Sequence, residues 1–503
     1  MESKVWQRIG SSTVVFVLVL FASLFRGKTD FLNDPGTFWH LRLGREILRT
    51  GSVPRTDFLT WSRADAPWVD QSWLFDAGLA WVVDLGGWSL AVVLTGLFLA
   101  SLFASLAAWL EREGNSPFVA GAIAIVAASI AAVHFLTRPH LFTFAGILWV
   151  LATTRAYHMR GSRWIWAAPV VVGLWANLHG GFVAGPIVLV TATAIEVLGS
   201  LGRWDAQRRR RVMTLACVTG ASLLAALVNP YGVGLYAHVL KLLVSSGVTD
   251  LIMEYQPTKL GGLNMITMEL VIVALIALPW FSRRRPEMFD LGQALVWLHF
   301  GLSSIRHAPL FGFAVSPLIA TLISGVMRPV AAQAEAAAAQ FTSGRLIRGL
   351  AVPVGVSTGL VVALVAGWRP GGPDPRKWPF EALRVVNQQP PDAAIFHEQD
   401  WGGLIESECQ PPRRAWMDDR FELWGRKPLV DYIEALKGGP SWDELQEREQ
   451  FQSAWIRPER GLAKRLAREP GWSELYRDAV SVVYQRVALG DEWGVVAGAL
   501  PRR

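Results

Sequence analysis

The sequence is poor in most of what a soluble enzyme of this size carries. Two cysteines in 503 residues, Cys217 inside an apolar run and Cys409 far along in a polar region, exclude a disulfide framework. No histidine or cysteine spacing of the metal-ligand kind is present, and no repeat of solenoid period. Charge is scarce within the apolar blocks. The first block, 9–25, follows Lys4 and Arg8 as a signal sequence would, yet no small-residue cleavage pattern follows it, so it reads as a retained span. A net charge of +7 could suggest nucleic acid, but the arginines sit in short clusters between apolar runs, where they orient a chain in a bilayer. Nucleic acid is therefore not an expected partner.

What is abundant is apolar surface: 52% hydrophobic residues, 24 of them tryptophan, gathered into blocks. Runs long enough to cross or nearly cross a bilayer of about 30 Å begin near 9, 87, 117, 141, 164, 181, 212, 265, 289, 308 and 347. The expected fold is thus an α-helical polytopic membrane bundle of about eleven spans, the pair flanking "NLHGGF" being two short crossings or one broken one. With the N-terminus cytoplasmic, Arg112, Arg155, Arg160, Arg163, Arg208 to Arg211, Arg283 to Arg285, Arg328, Arg345 and Arg348 all fall in inner segments, as positive charge should. The outer segments carry mixed charge, and the C-terminus falls outside.

Residues 1–370 read as the membrane domain, and its first outer loop, 26–86, is too long for a simple connection. Trp39, Leu43 and Ile47 recur at helical spacing while Arg42, Arg45 and Arg49 take another face, which predicts a helix lying in the headgroup region. A second interfacial helix is expected after Asp70, with "DLGG" as its stop. Beyond the turn-rich "RPGGPDPRKWP", residues 371–503 read as a small α/β domain outside the cytoplasm. Its expected strands lie in "AAIF", "RRAWM" and "VSVVYQR", its helices near 427–436, 441–450 and 459–468.

On this topology, polar residues distant in sequence collect at one face. They are Asp34, His40 and Asp70 in the first loop, Arg138 and His140 in "LTRPHLF", Asn177 and His179 in "WANLHGGF", Asn229 and Tyr231 in "VNPYG", Glu254 in "IMEYQP", and Arg306 and His307 in "SSIRHAP". Each has an ordinary reading. Asp34 before Pro35 suits an N-cap, terminal arginines snorkel toward headgroups, and Gly180 and Gly181 permit close helix packing. Coincidence is what the ordinary readings leave out. A shared cavity accounts for it, because arginine matches phosphate, histidine donates or shuttles a proton, and a carboxylate accepts one from a hydroxyl.

These residues resemble the C-type superfamily of membrane glycosyltransferases that use polyprenyl-phosphate sugars, in particular its bacterial multi-span members. The resemblance rests on "DPGTFWHLRLGREILRTGSVPRTDFLT" and "PWVDQSWL", then "RPHLF", "WANLHGGF", "LVNPYG" and "SIRHAP", and finally "DWGGLIE" and "WMDDRFELWG". It implies a bundle with interfacial helices in the first outer loop, set in the bacterial cytoplasmic membrane. The essential acid of that loop maps onto Asp34 as general base for inverting transfer from a polyprenyl-phosphate sugar to a hydroxyl of a glycan, lipid or protein acceptor. Arg138, His140, His179, Arg306 and His307 would hold the lipid phosphate, with His40, Asp70, Asn177, Asn229, Tyr231 and Glu254 in support. No cofactor is implied, and a divalent metal, used by some relatives with adjacent acids, is disfavoured by Asn33. A transporter or flippase of a lipid-linked saccharide, or a non-catalytic assembly scaffold, are the alternative classes. In the outer domain, Asp418, Asp419 and Arg420 read as an internal ion pair with an N-cap at a strand end.

Overall fold

The computed structural model describes residues 10–200, 204–244, 246–262, 265–327 and 371–487, with 353, 355–360, 363 and 367. The chain forms two compact units. One comprises Met1–Arg55 and Pro67–Pro373, the other Thr56–Ala66 and Asp374–Arg503.

The first unit is helical, the one economical way for an apolar chain to satisfy its own backbone in lipid. Its helices are α1 (Ser11–Asp30), α2 (Gly36–Thr50), α3 (Trp73–Arg112), α4 (Pro117–Ala131), α5 (His140–Arg160), α6 (Ala168–Leu178), α7 (Ala184–Gly199), α8 (Ala206–Ala225), α9 (Val233–Val244), α10 (Ile266–Phe281), α11 (Met288–Ser303) and α12 (Ala308–Val326). Among the described residues, 73–112, 117–134, 180–199 and 305–326 are long and apolar enough to cross a membrane, and 11–25, 233–242 and 266–281 are shorter apolar helices. The full span count expected from sequence is therefore not reached on length and composition alone. Helices α5, α6, α8 and α11 occupy other expected positions, and the run 347–367 lies outside the described residues apart from 353, 355–360, 363 and 367.

The core wraps α12, which is buried almost along its whole length. Phe313 stacks on Phe103 of α3 at 5.5 Å and meets Phe144 of α5 at 5.9 Å. Valines and a leucine of α1, Val15, Val19 and Leu20, join the same core.

Helix α2 is amphipathic as its spacing predicts, with Phe38, Leu41, Leu43 and Ile47 buried and Arg49 exposed. It ends where Gly51, at φ 67°, donates its N–H to Ile47 O at 2.8 Å. It crosses α3 so closely that a Cβ on Gly44 would stand 1.9 Å from Asp76 O, which only glycine tolerates. The second interfacial helix expected after Asp70 does not stop as a separate element. It runs on into α3, and "DLGG" marks a kink, with Gly87 at φ 68°.

The second unit holds a four-stranded sheet in the order β1-β2-β4-β3, built of β1 (Ile395–His397), β2 (Ser453–Ile456), β3 (Trp472–Arg477) and β4 (Val482–Arg486). Strands β1 and β2 run parallel, with Phe396 opposite Ala454, and the other two pairings are antiparallel. A parallel pair needs a long crossover, supplied here by α13 (Gly402–Glu408), α14 (Arg426–Leu436) and α15 (Ser441–Glu449), while α16 (Gly461–Leu466) follows β2. Phe396 centres an aromatic core with Trp416, Tyr432, Trp442 and Phe451, ring centroids 5.1–5.9 Å away.

Two expectations need correction here. "RRAWM" is not a strand of the sheet; its Ala415 makes an isolated parallel bridge to Thr60. Strands β2 and β3 were not among the runs read as strands, because "SAWI" is too short and buried on both faces to alternate.

Candidate functional site

The polar residues of the first unit gather from segments far apart in sequence, at one end of the helices. The turn before α2 supplies Asp34, whose side chain is buried and lies 3.0 Å from Arg138 Nε, in the turn before α5. Arg138 Nη1 meets Glu254 Oε1 at 3.1 Å, in the turn that follows α9. One guanidinium thus bridges two carboxylates. The N-cap reading of Asp34 is met in part: the regular helix is bounded at Pro35, while the Gly36 N–H acts on the Asp34 carboxylate and Thr37 N–H donates to Asp34 O at 3.1 Å. Asp34 Oδ2 is buried and accepts no hydrogen bond in good geometry. Gly36 keeps the space beside that oxygen open, since a Cβ there would stand 2.9 Å from it and 3.3 Å from Arg138 Nη2.

Electrostatics set the two acids apart. Burial pushes the Asp34 carboxyl above the ordinary range, opposed by Arg138 and reinforced by Glu254. Burial also acts against the charged Glu254, but Arg138 and then Arg306 outweigh it and hold Glu254 down to about 2.

Arg306 differs from Arg138. Its Nη1 donates to the Tyr255 hydroxyl at 2.5 Å, and its guanidinium lies 5.0 Å from the centre of that ring. Among the described residues no carboxylate stands within ion-pair distance of Arg306. The turn carrying it is stitched to 254–258: Ser304 Oγ donates to Glu254 O at 2.9 Å and Ile305 N–H to Gln256 O at 3.0 Å. His134 Nε2 donates to Ile305 O at 3.2 Å, and His140 Nε2 to His134 O at 2.7 Å. His140 is therefore a latch on the Arg306 turn. His307 packs edge-on against Phe300 at 5.8 Å, its Nδ1 buried without a hydrogen bond.

His179 breaks the chain between α6 and α7 in an extended conformation, so "NLHGGF" separates two short helices. The glycines that follow make room for side chains rather than for a neighbouring helix. A Cβ on Gly180 would meet Gln71 Oε1 at 1.9 Å, and one on Gly181 would meet Thr143 Oγ1 at 2.4 Å. Trp175 Nε1 donates to Thr143 Oγ1 at 3.0 Å, which leaves the threonine proton for His179 Nδ1 at 2.7 Å, where Gly181 N–H also donates at 3.1 Å. Two donors on Nδ1 fix the neutral imidazole with its proton on Nε2. The fields of Arg306, His140, Arg138 and His40 all act on this ring.

A second acidic group lies beside the first. His40 Nδ1 is 2.6 Å from Asp76 Oδ1, and the ring stacks on Trp39 at 3.7 Å. Asp70 receives Ser72 N–H at 2.9 Å, and its buried carboxyl lies against that of Asp76. Burial, then the neighbouring Asp76, raises the Asp70 carboxyl well above its usual range.

The remaining candidates serve the scaffold. Tyr231 accepts from Asp70 N–H at 3.0 Å and donates to Pro54 O at 2.9 Å, fixing the two ends of one loop. Asn177 accepts from Trp73 Nε1 and donates to Val228 O, both at 2.8 Å, and Asn229 closes its own turn onto Tyr231 N–H at 2.7 Å. Sequence reasoning missed His134, Tyr255 and Asp76. Asp76 had a signal, an acid inside the apolar "WLFDAGLAW".

Among the described residues no group of three or more His, Cys, Asp or Glu is arranged to hold a metal ion. Asp34 is engaged with Arg138, and Asn33 turns its amide to Asp30 at 2.9 Å.

No model of a protein family and no curated protein matches the sequence. Solved structures do. The apo oligosaccharyltransferase of Archaeoglobus fulgidus superposes with a TM-score of 0.56 at 13% identity, over 89% of this chain and 70% of that one. Apo ArnT of Cupriavidus metallidurans gives 0.53 at 17% identity, over 97% of this chain and 99% of that one, and ArnT bound to undecaprenyl phosphate gives 0.51 at 16%, over 95% and 98%. These likenesses show a shared fold, mostly helical with a small sheet toward the C-terminus.

Proposed function

We propose that this chain is a membrane glycosyltransferase that moves a sugar from a polyprenyl-phosphate donor onto an acceptor hydroxyl, with inversion at the anomeric carbon. The observation that supports it most is the meeting of a buried carboxylate whose Oδ2 accepts no hydrogen bond, Asp34, with a guanidinium that has no carboxylate within ion-pair distance among the described residues, Arg306, around the Arg138 bridge. The undecaprenyl phosphate bound in ArnT supports the donor class.

In this reading Asp34 takes the acceptor's proton as its oxygen attacks the anomeric carbon. The bond from that carbon to the phosphate oxygen breaks, and its electron pair stays on the phosphate. Arg306 receives the growing charge, and His179 offers its Nε2–H as a second donor. Arg138 aligns Asp34 and, with Glu254 neutralising part of its charge, leaves the aspartate basic. His140 acts through its latch on the Arg306 turn, and no step passes through a metal. The reaction faces the outer side of a bacterial cytoplasmic membrane, with the N-terminus inside and the second unit outside.

The test is lipid identification. Native mass spectrometry of protein incubated with undecaprenyl phosphate should show one retained lipid, lost in Arg306→Ala. Retention of ordinary phospholipid alone would sink the donor assignment.

A further inference from the structure

The motif "WMDDRFELWG" in the second unit plays no part in the chemistry above, and to the internal ion pair its sequence suggested, Arg420 with Asp418, the structure adds a distant partner. Arg420 is fully buried. Its Nε donates to Asp418 Oδ2 at 2.7 Å, and its Nη2 reaches Asp57 Oδ1 at 2.8 Å, in the tip of the first loop. That tip, Thr56–Ala66, folds as part of the second unit. Ala415 N–H donates to Leu59 O at 3.1 Å and Trp61 N–H to Ala415 O at 3.0 Å, a short stretch of added strand. Ser62 Oγ donates to Trp416 O, and Arg63 lies 5.7 Å from the centre of the Trp424 ring. Asp57, Leu59 and Thr60 are all buried. Asp57 also shapes the tip itself, accepting Leu59 N–H at 3.1 Å and the Thr60 hydroxyl.

Both ends of the same loop are fixed in the first unit. Trp68 N–H donates to Arg55 O at 3.0 Å across its base, and Arg55 Nη2 donates to Pro230 O at 2.8 Å. Trp68 then meets Trp39 edge-on at 5.9 Å, and Trp39 stacks on His40. Asp70 follows four residues after Ala66.

We propose that the second unit holds the loop tip as an inserted peptide, clamped by Arg420 on Asp57, and that this clamp sets the path of the segment carrying Trp68 and Asp70. Arg420 is then a positioning residue for the membrane site. The effect on turnover rests on the transferase reading; the clamp does not.

Full-length protein in detergent or nanodiscs tests it with two readouts. Trypsin should leave Arg63 intact in the wild type and cut there in Asp57→Asn and Arg420→Gln, with faster amide exchange over 67–72 in both variants. Turnover should fall about 10²-fold, as a small displacement far from the chemistry can cause. Thr60 and Ala415 face each other in the bridge, at a strand spacing of about 4.8 Å that a disulfide spans. In a Cys217→Ser background, oxidised Thr60→Cys/Ala415→Cys should restore protection, slow exchange and turnover to Arg420→Gln, and reductant should remove all three. Undisturbed exchange over 67–72 in both variants overturns the proposal, and so does a cross-link that protects Arg63 without slowing that exchange. A wild type that binds no polyprenyl phosphate overturns the transferase reading alone, since trypsin and exchange still decide the clamp. Asp57→Asn alters only one charge on the inserted peptide, so it remains informative if Arg420→Gln does not fold.

Discussion

Arg138 in the first unit and Arg420 in the second each hold two carboxylates, and the two arrangements differ in exposure. Around Arg420 the side chains of Arg420, Asp57 and Asp418 are 2%, 0% and 0% exposed, a sealed network. Around Arg138 the arginine is 20% exposed and Glu254 34%, while Asp34 stays buried at 5%. One guanidinium cannot satisfy every acid near it, and beside each of these two a carboxyl is driven upward: Asp34 near Arg138, Glu406 near Arg420. Burial, then the Asp418 carboxyl beside it, raises Glu406 well above its usual range, and no N–H donor among the described residues reaches either of its oxygens. The physics is shared. Beside Arg138 the network is partly open to its surroundings, and in the proposed reading the raised acid there serves as the base.

The sharpest way to break this comparison is the same isosteric change at its open end. Asp34→Asn should lower transfer about 10²- to 10⁴-fold, the usual contribution of a positioned base, while thermal unfolding stays near that of the wild type. Full activity would make the two networks equivalent, both merely structural. At the sealed end the large effect should be on stability. Arg420→Met leaves Asp57 and Asp418 buried without their cation, a loss of about 3–5 kcal/mol for a broken buried pair, measurable as a fall in the unfolding midpoint of the second unit. Little or no fall would mean that the network is not dry.

Much of this was legible in the sequence, for identifiable reasons. The arginine clusters gave a topology, and the topology placed Asp34, Arg138, Glu254 and Arg306 at one end of the bundle, where the structure gathers them. Helix α2 was legible from its amphipathic spacing. Partner choice was not. Nothing local says that His40 pairs with Asp76, 36 residues on, that Arg306 leans on Tyr255, or that Arg420 reaches Asp57. Motif strings show which residue types are set aside, whereas tertiary contact decides which of them are spent. Asn177, Asn229 and Tyr231 were spent on turns and helix ends.

Arg138 can be separated from Arg306 by pH. Because Arg138 opposes the effect of burial on Asp34, Arg138→Gln should raise the Asp34 carboxyl further. A general base works only when deprotonated, so the acid limb of the rate profile should move to higher pH. Arg306→Ala should instead weaken undecaprenyl phosphate binding about tenfold or more, the loss of a charged hydrogen bond, with that limb unmoved. If both variants shift the limb alike, the two arginines do one job.

The smallest expected effect completes the comparison. Glu406 and Asp34 are both raised acids, yet Glu406 lies in the sealed network, so Glu406→Gln should leave transfer unchanged. Its stability signature has a definite sign. A carboxyl whose folded value lies above its unfolded one contributes stability at low pH that is lost as pH rises from its ordinary value near 4.5 through the folded value. The glutamine variant cannot titrate and should lack that loss, so its unfolding midpoint should exceed that of the wild type at neutral pH and converge with it, or fall below it, in acid. The opposite trend would mean that Glu406 is charged in the native state, and that the sealed network carries three anions on one arginine.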